Sequence, residues 1–249
     1  MLTQNVIVLG ASSAIGRVLA HRAASSGERR VLAVARSEVP ESLAPLRGVT
    51  CLSGIDLCSE KSLNTLAATA QTVFQGRGPF AAVHCVGDFW RHAPLTRTPL
   101  AESLRVVQSN INTLIGAATA LTPVMIAAGG GRFVTFSCNS VRHNFPNMAP
   151  FTAAKAAVES FTRSLSNECA PQGVSAFAVA LSSVATEKVM RDEPNGDHAH
   201  YLTPEVVADF VLAQVLTLPH QATGNVLSLF EASPSFFGTG YFDRHPQPA

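Results

Sequence analysis

The chain has 249 residues, of which 47% are hydrophobic and 14% are charged, and its formal net charge is +1. This composition supports a large apolar core and gives no field that would gather a polyanion, so we expect no nucleic-acid partner. The first nine residues carry no basic leader segment, and no uncharged apolar run reaches the roughly 18 residues of a membrane span. The five cysteines are odd in number and lack paired metal spacing. We therefore expect a cytoplasmic protein with no membrane segment and no metal site.

Short apolar runs alternate with longer segments of helical period, which is typical of βαβ units that build a parallel sheet. We predict one α/β domain over residues 1–249: a single Rossmann-type, doubly wound sheet of seven mostly parallel strands with helices on both faces. The predicted strands are Asn5–Leu9, Arg30–Ala35, Thr50–Ser53, Ala81–Cys85, Arg132–Phe136, Ser175–Ala180 and Asn225–Leu229. The predicted helices are Ala14–Ser26, Glu60–Phe74, Leu100–Ala128, Thr152–Ala170 and Pro204–Leu218. Polar residues at about 182–201 and a tail at about 231–249 are predicted to be mobile.

A glycine-containing turn follows the first strand directly and leads into the first helix. Its sequence is Gly10-Ala11-Ser12-Ser13-Ala14-Ile15-Gly16. Gly10 permits a tight turn at the strand exit, and Gly16 lets the helix approach the sheet closely. The free N–H groups and the positive dipole end of that helix can then meet a pyrophosphate. The spacing matches neither G-x-G-x-x-G nor a Walker loop, but its placement predicts a dinucleotide site.

The end of the second predicted strand indicates which dinucleotide is bound. The position at which an acidic residue would bind a ribose 2′-hydroxyl holds Ala35, and Arg36 follows it. A guanidinium can bind a 2′-phosphate through two hydrogen bonds, and Ser12 or Ser13 can add a hydroxyl donor. We therefore predict that the cofactor is NADP(H).

Further landmarks follow in order along the chain: Asp56 after the third strand, Gly87 after the fourth, Asn110 in one helix and Lys155 in the next. With the glycine turn, they make the chain resemble the short-chain dehydrogenase/reductase family, and most of all its 3-oxoacyl-ACP reductase branch. The resemblance covers residues 5 to about 230. It implies a small-molecule substrate and a homodimer or homotetramer.

The resemblance also implies the contacts to the cofactor. Asp56 would meet the adenine through its side chain and Leu57 through its backbone, Lys155 would bind the nicotinamide ribose, and Thr186 would hold the nicotinamide carboxamide. The segment at about 182–201 would form a lid over the substrate. The complete implied set is Gly10, Ser12, Ser13, Ile15, Gly16, Arg36, Asp56, Leu57, Gly87, Lys155, Val184 and Thr186.

The sequence departs from the family pattern in its loops. Ala14 replaces the middle glycine of the family's G-x-x-x-G-x-G turn, which adds one methyl group. The family's Asn-Asn-Ala-Gly is replaced by His84-Cys85-Val86-Gly87, and the Pro-Gly before the threonine is replaced by Leu181-Ser182. We expect cofactor binding to survive these changes.

A larger departure concerns the four catalytic side chains of the family, which are Asn, Ser, Tyr and Lys. Asn110 and Lys155 match the first and the last, but Cys138 stands at the serine position and Phe151 at the tyrosine position. In the family, the lysine lowers the tyrosine pKa so that the phenol can protonate the substrate oxygen. Phe151 has no titratable proton. A positioned general acid contributes about 10²–10⁴ in rate, so ordinary ketone reduction should be crippled.

Three hypotheses stay open. The protein could still be an NADPH-dependent reductase of an activated acceptor, such as an iminium, a quinone or a conjugated enone, with Ser137, Ser140 or Tyr201 as other hydroxyl sources. It could instead be a catalytically silent, nucleotide-binding subunit that pairs with an active homologue in a heteromer through the Leu100–Ala128 and Thr152–Ala170 helices. In the third hypothesis the pocket performs a non-redox reaction with Cys138 as nucleophile or His143 as base.

Overall fold

Seven strands form one sheet in which every pair of neighbours runs parallel, in the order β3-β2-β1-β4-β5-β6-β7. The computed structural model describes residues 5–25, 27–88, 93–192, 194–195 and 198–230, and the predicted tail at 231–249 lies outside them. The strands are β1 Asn5–Leu9, β2 Arg30–Val34, β3 Val49–Leu52, β4 Phe80–His84, β5 Gly131–Cys138, β6 Val174–Leu181 and β7 Val226–Leu229. The predicted sheet is confirmed, with strand ends shifted by one or two residues.

Eight α-helices are present in the described part of the chain. They are α1 Ala14–Ser25, α2 Glu60–Phe74, α3 Leu100–Val107, α4 Thr113–Ala127, α5 Ser140–His143, α6 Ala149–Cys169, α7 Glu187–Asp192 and α8 Pro204–Ala213. The predicted helix Leu100–Ala128 is in fact divided by a π-helical turn, Gln108–Asn112. The sequence prediction also missed α5 and α7, since helices of four and six residues are too short to show a period.

The five central strands of the sheet are buried on both faces, and their side chains alternate between two apolar clusters. Val6 and Val8 of β1 pack against α1 and α8, whereas Ile7 and Leu9 pack against α2, α4 and α6. Burial on both faces explains why the strands read as continuous apolar runs in the sequence.

The stretch Leu100–Ala127 is long and apolar enough, by length and composition, to cross a membrane. In the fold its second half is α4, whose Leu114, Leu121 and Met125 are fully buried against the sheet. A core helix of an α/β domain meets the same criterion, and the packing of α4 accounts for part of the apolar composition, since about a third of the apolar stretch is buried.

The order of the strands reverses between β1 and β4, and the carboxyl ends of these two strands lie side by side. Gly10 follows β1 and Gly87 follows β4 within three residues, so both glycines lie at this edge. Ligands of open α/β sheets bind in the crevice outside the carboxyl ends at such a reversal. The topology therefore brings the predicted dinucleotide turn to the expected ligand crevice.

Candidate functional site

The glycine turn packs too closely to accept side chains at its two ends. A Cβ atom at Gly10, which has a φ of 83°, would lie 2.9 Å from the Cys85 carbonyl oxygen. A Cβ atom at Gly16 would lie 2.2 Å from the Gly10 carbonyl oxygen. Helix α1 therefore starts directly against the end of β1, as the sequence predicts.

The first turn of α1 presents free N–H groups. The Ser13 hydroxyl accepts a hydrogen bond from Gly16 N (3.1 Å), and the Ser13 carbonyl accepts one from Arg17 N (2.8 Å). The N–H groups of Ala14 and Ile15 have no acceptor among the described residues. Ala14 has no positive φ, so the alanine in place of the family's glycine is unstrained. Unpartnered N–H groups at a helix N-terminus form an anion site that fits a pyrophosphate.

A group of polar side chains surrounds the end of β2, beside the glycine turn. Arg36 is exposed and has no ion pair within the described part of the chain. The Ser37 hydroxyl donates to the Ser12 hydroxyl over 3.2 Å. These groups suit a ribose phosphate. Sequence reasoning missed Ser37, because its link to Ser12 joins two loops 25 residues apart.

The predicted adenine contacts lie after β3. Asp56 is exposed, and its Oδ1 accepts a hydrogen bond from Cys58 N over 2.9 Å. Leu57 is buried, and its carbonyl oxygen would lie 1.9 Å from a Cβ atom at Gly116. Helix α4 thus packs directly on the Leu57 backbone and fixes the Asp56 turn. This places an exposed carboxylate near the glycine turn.

The π-helical turn between α3 and α4 carries Asn110, which is buried. Its Nδ2 donates to the carbonyl oxygens of Val106 (2.9 Å) and Asp88 (3.1 Å). A Cβ atom at Gly87 would lie 2.4 Å from Asn110 Oδ1, so Gly87 has to be a glycine. Arg105 forms an ion pair with Asp88, which ties the exit of β4 to α3. Gly87 and Asn110 therefore meet, a contact that the sequence does not predict.

Cys138 and Phe151 share an apolar cluster. Phe151 is buried with Val106 and Met148, and Cys138 and Phe145 pack against this group. Cys138 is half-buried; its Sγ donates to Asn139 Oδ1 (3.4 Å) and accepts from Ser140 N (3.5 Å). Where the family has two hydroxyl groups, this chain has a thiol and a phenyl ring on an apolar wall.

Lys155 lies one helical turn after Phe151, and both side chains are buried. Its Nζ donates to the Phe136 carbonyl oxygen (2.9 Å) and lies 5.5 Å from the centroid of the Phe151 ring. Burial lowers the pKa of Lys155 from 10.5 to about 8, an effect that the nearby Cys138 partly opposes. The ammonium therefore stays mostly charged at neutral pH and can release a proton just above it.

His84 ends β4 and is buried behind the same lysine. Burial, and then the positive charge of Lys155, lower the pKa of His84 from 6.5 to about 3. Its Nε2 lies 3.1 Å from the Thr113 hydroxyl, which itself donates to the Ser109 carbonyl oxygen (2.8 Å). Nε2 is thus the donor to Thr113, and the ring is neutral. His84 therefore tethers β4 to the start of α4.

The two serines beside Cys138 are both buried, and they differ in their hydrogen bonds. Ser137 is buried, and its hydroxyl donates to Glu159 Oε1 over 2.7 Å, on the side of α6. The Ser140 hydroxyl is buried without a hydrogen-bond partner among the described residues. The expectation that Ser137 could supply the missing hydroxyl is therefore wrong, because its proton is already donated elsewhere.

The predicted lid contains α7 and is joined to the glycine turn. Arg17 of α1 forms an ion pair with Glu187 of α7 (2.8 Å), and the Thr186 hydroxyl accepts from Val189 N (3.2 Å). Val184 forms a parallel bridge with Leu202, which brings residues 198–202 back beside the exit of β6. Val184 and Thr186 thus lie at the same edge of the sheet as the glycine turn.

Tyr201 lies in this returning segment and is half-buried. Its ring meets the His198 ring edge to face, with the centroids 4.9 Å apart. Within the described residues, no three His, Cys, Asp or Glu side chains lie together as a metal site would require.

A family model described as short chain dehydrogenase matches residues 4–196. The chain belongs to this family. This confirms the resemblance drawn from the glycine turn, Asn110 and Lys155. The match covers the whole glycine turn, β1 to β6 and the segment that holds Cys138, Phe151 and Lys155.

The chain matches two relatives over very different shares of their length. Glycine betaine reductase ATRR of Emericella nidulans is 28% identical over 238 residues; the match covers 89% of this chain but only 18% of that protein. The 3-oxoacyl-[acyl-carrier-protein] reductase of Synechocystis is 22% identical over 243 residues, and the match covers 96% of this chain and 94% of that protein. The chain thus spans a small part of the first protein and nearly all of the second.

A solved structure of ElxO, with a tyrosine changed to phenylalanine and with NADPH bound, superposes with a TM-score of 0.78. It is 20% identical and the match covers 91% of this chain and 96% of that chain. At this identity the likeness establishes the fold.

We predict that replacing Lys155 by Met stabilises the protein at neutral pH and that this gain shrinks as the pH rises. The folded state binds the proton less tightly than the unfolded chain, so stability increases between the folded pKa of about 8 and the unfolded value of 10.5. The pH-dependent part amounts to roughly 3 kcal/mol. Urea unfolding at pH 7 to 11 measures it, with Lys188→Met as the exposed control. If the difference in unfolding free energy between Lys155→Met and the wild type did not change with pH, Lys155 would not be a buried charge.

A second prediction concerns acid sensitivity. The pKa of His84 is 6.5 in the unfolded chain and about 3 in the folded chain. The unfolded chain therefore binds a proton that the folded chain does not, and stability falls as the pH drops below 6.5. Between pH 7 and 5, the wild type should lose about 2 kcal/mol more than the His84→Asn variant. Urea midpoints at the two pH values measure this difference. The exposed His21 serves as control, and a His21→Asn variant with the same effect would rule His84 out as the cause.

Proposed function

We propose that the chain binds NADP(H) and transfers its hydride to a small acceptor that needs little acid assistance. The observation that carries the proposal is the pairing of a complete nucleotide cradle with the positive Lys155. Gly10 and Gly16 fit tightly. Among the described residues, the N–H groups of Ala14 and Ile15 have no acceptor and Arg36 has no ion pair. Family membership and the ElxO variant that holds NADPH support the choice of cofactor.

Arg36 and the Ser12–Ser37 hydroxyl pair would hold the 2′-phosphate, and the N-terminus of α1 would hold the pyrophosphate. Asp56 and the Leu57 backbone would meet the adenine. At the other end, Lys155, Val184 and Thr186 would hold the nicotinamide ribose and carboxamide. When bound, the cofactor supplies the hydride.

The chemistry open to the site follows from what stands beside Lys155. Phe151 cannot give a proton, and the Ser137 proton is donated to Glu159. The acceptor must therefore carry its new electron pair without a phenol, as an iminium, a quinone or a conjugated enone does. Lys155 is acidic enough near neutral pH to deliver the balancing proton afterwards, directly or through water. Val106, Phe145 and Met148 line the wall, which favours an apolar acceptor.

A silent, nucleotide-binding subunit is the second candidate, and the same wall favours it. The chain keeps Asn110 and Lys155 but has Cys138 and Phe151 where the family has two hydroxyl groups. The groups that bind the nucleotide can therefore be present without those that catalyse ketone reduction. NADPH would then raise the melting temperature while no acceptor consumed it.

The third hypothesis, a non-redox reaction with Cys138 as nucleophile or His143 as base, has little support. The two hydrogen-bond partners of Cys138 Sγ are Asn139 Oδ1 and Ser140 N, and neither is a base that could activate the thiol. His143 instead stacks on Phe145, with ring centroids 5.4 Å apart.

The α3–α4 surface supports the proposed pairing of subunits. Leu100, Leu104 and Ile115 are exposed by 73%, 57% and 44%. Large apolar side chains in one region of a surface favour a protein contact. We expect a homodimer or homotetramer, or a heteromer with an active homologue. Exposed free thiols at Cys51 and Cys58 suit the proposed cytoplasmic location.

If Arg36 holds the 2′-phosphate, Arg36→Gln should weaken NADPH binding by about 10- to 100-fold, the effect of losing a charged hydrogen bond of roughly 1.5–3 kcal/mol. NADH binding should stay within about twofold. Titration of cofactor fluorescence gives both dissociation constants. Arg97→Gln removes another exposed arginine as control. Equal weakening of NADPH and NADH by Arg36→Gln would show that this residue does not select the cofactor.

Restoring the two hydroxyl groups tests the site directly. The Phe151→Tyr, Cys138→Ser double variant should gain ordinary ketone reduction by about 10² or more over the wild type, since it regains a general acid beside Lys155. NADPH consumption with a 3-oxoacyl thioester measures this. Phe145→Tyr adds the same hydroxyl to the same cluster and should gain nothing. If the double variant binds NADPH but stays inert, the pocket has changed beyond these two residues.

The wild type distinguishes the two candidate functions. Consumption of NADPH with an iminium, quinone or enone acceptor supports the reductase, and Tyr201→Phe then tests whether the lid supplies a phenol. A rise in melting temperature with NADPH, without consumption across the panel, supports the silent subunit.

A further inference from the structure

A second cavity lies at the amino ends of the strands, on the edge of the sheet opposite the glycine turn. It measures about 350 Å³, near the lower limit of small-molecule sites, and its lining is polar. The lining residues come from the first residues of β1 and β2 and from the turns before β2, β3 and β4. They are Asn5, Gly27, Glu28, Arg29, Arg30, Arg47, Gly48, Gly76 and Arg77.

Four arginines are among the residues that line this cavity, against one acidic residue, Glu28. In the part of the chain that the structure describes, none of the side chains of Arg29, Arg30, Arg47 and Arg77 has an ion pair or hydrogen bond. Four like charges converging on one small space repel each other, and a multiply charged anion would relieve that repulsion.

The ends of the neighbouring helices do not account for so many cations. Helices α1 and α2 both end at this edge, and each helix C-terminus carries the equivalent of about half a negative charge. Together with Glu28, these ends offset about two of the four guanidinium groups. A surplus of about two positive charges remains.

The backbone keeps the cavity open. Gly27, Gly48 and Gly76 have φ values of 67°, 81° and 66°, and Gly27 and Gly76 have no atom within 4 Å of the position of a Cβ. The floor is Asn5, which is 4% exposed and donates from Nδ2 to the Arg77 carbonyl oxygen (3.0 Å). Asn5 thus fixes the backbone of the turn that carries Arg77 to the buried core.

We propose that this cavity, the basic pocket, is a second anion site that binds a compact phosphate-bearing ligand of the size of a diphosphate. Arginine forks match phosphate oxygens through paired hydrogen bonds. The volume exceeds the needs of a single small ion, and the exposed Arg30, Arg47 and Arg77 leave the entrance open to solvent. The five residues of β1 separate the pocket from the glycine turn by about 15 Å, so both sites can be filled at once.

Calorimetric titration of the full chain with sodium pyrophosphate, in the absence and presence of saturating NADPH, tests the proposal. In the presence of saturating NADPH, which fills the glycine turn, one pyrophosphate should still bind per chain, and added salt should weaken it. Arg47→Gln and Arg77→Gln should each weaken it at least tenfold, whereas Arg97→Gln, another exposed arginine, should leave it unchanged. Circular dichroism and NADPH affinity check that each variant is folded.

Three results would overturn the proposal. Loss of pyrophosphate binding when NADPH is present would place the anion at the glycine turn. Equal weakening by Arg47→Gln and Arg97→Gln would reduce the effect to general charge attraction. A tetraglutamate peptide that binds the pocket in place of pyrophosphate would indicate an acidic protein partner instead of a phosphate. Titrations with inorganic phosphate and with glycerol 3-phosphate show whether the pocket prefers a free phosphate or a phosphate ester. The ligand class is the one whose probe binds more tightly.

Discussion

The contact of Gly16 with the carbonyl of Gly10 is the constraint on which the nucleotide site depends. Because no side chain separates them, α1 begins directly at the end of β1, and its first N–H groups and its dipole open into the crevice between β1 and β4. The same crevice receives Gly87, which must be small to meet Asn110. The glycines of the site are thus steric requirements of two close approaches, and the cofactor chemistry is built around them.

The second feature is a buried positive charge that has lost its family partner. Lys155 lies against the Phe151 ring and the Phe136 carbonyl, and its charge depresses the pKa of His84 behind it. A buried lysine without a negatively charged partner costs folding free energy. Retention of Lys155 beside a phenyl ring therefore supports a role in holding the cofactor, whether or not the hydride is transferred.

The sequence predicted the parts of the structure that follow from local pattern. The seven strands follow from apolar runs, and the glycine turn follows from residue type and position; Glu60–Phe74 was predicted to the residue. The family resemblance brought Asn110, Cys138, Phe151 and Lys155 to one region, and the fold places Cys138 with Phe151, and Phe151 with Lys155.

What the sequence could not predict depends on side chains that meet only in the folded chain. The Ser137 hydroxyl turns to Glu159, 22 residues away, which no local pattern reveals. Ser37 joins Ser12 across two loops, and the basic pocket combines three turns and two strand starts that look ordinary one by one. The π-helical turn was missed because the apolar period runs through it.

That turn has a consequence for how the long helical stretch is placed on the sheet. Val106 and Leu114, both fully buried, are eight residues apart. At about 100° per residue, an uninterrupted α-helix would place them roughly 80° from each other. The extra residue of the π turn changes that angle, so Val106 packs with Met148 and Phe151 while Leu114 packs against the sheet. One added residue thus lets a single stretch of chain serve two different packing surfaces, and the buried Asn110 lies between them in the chain.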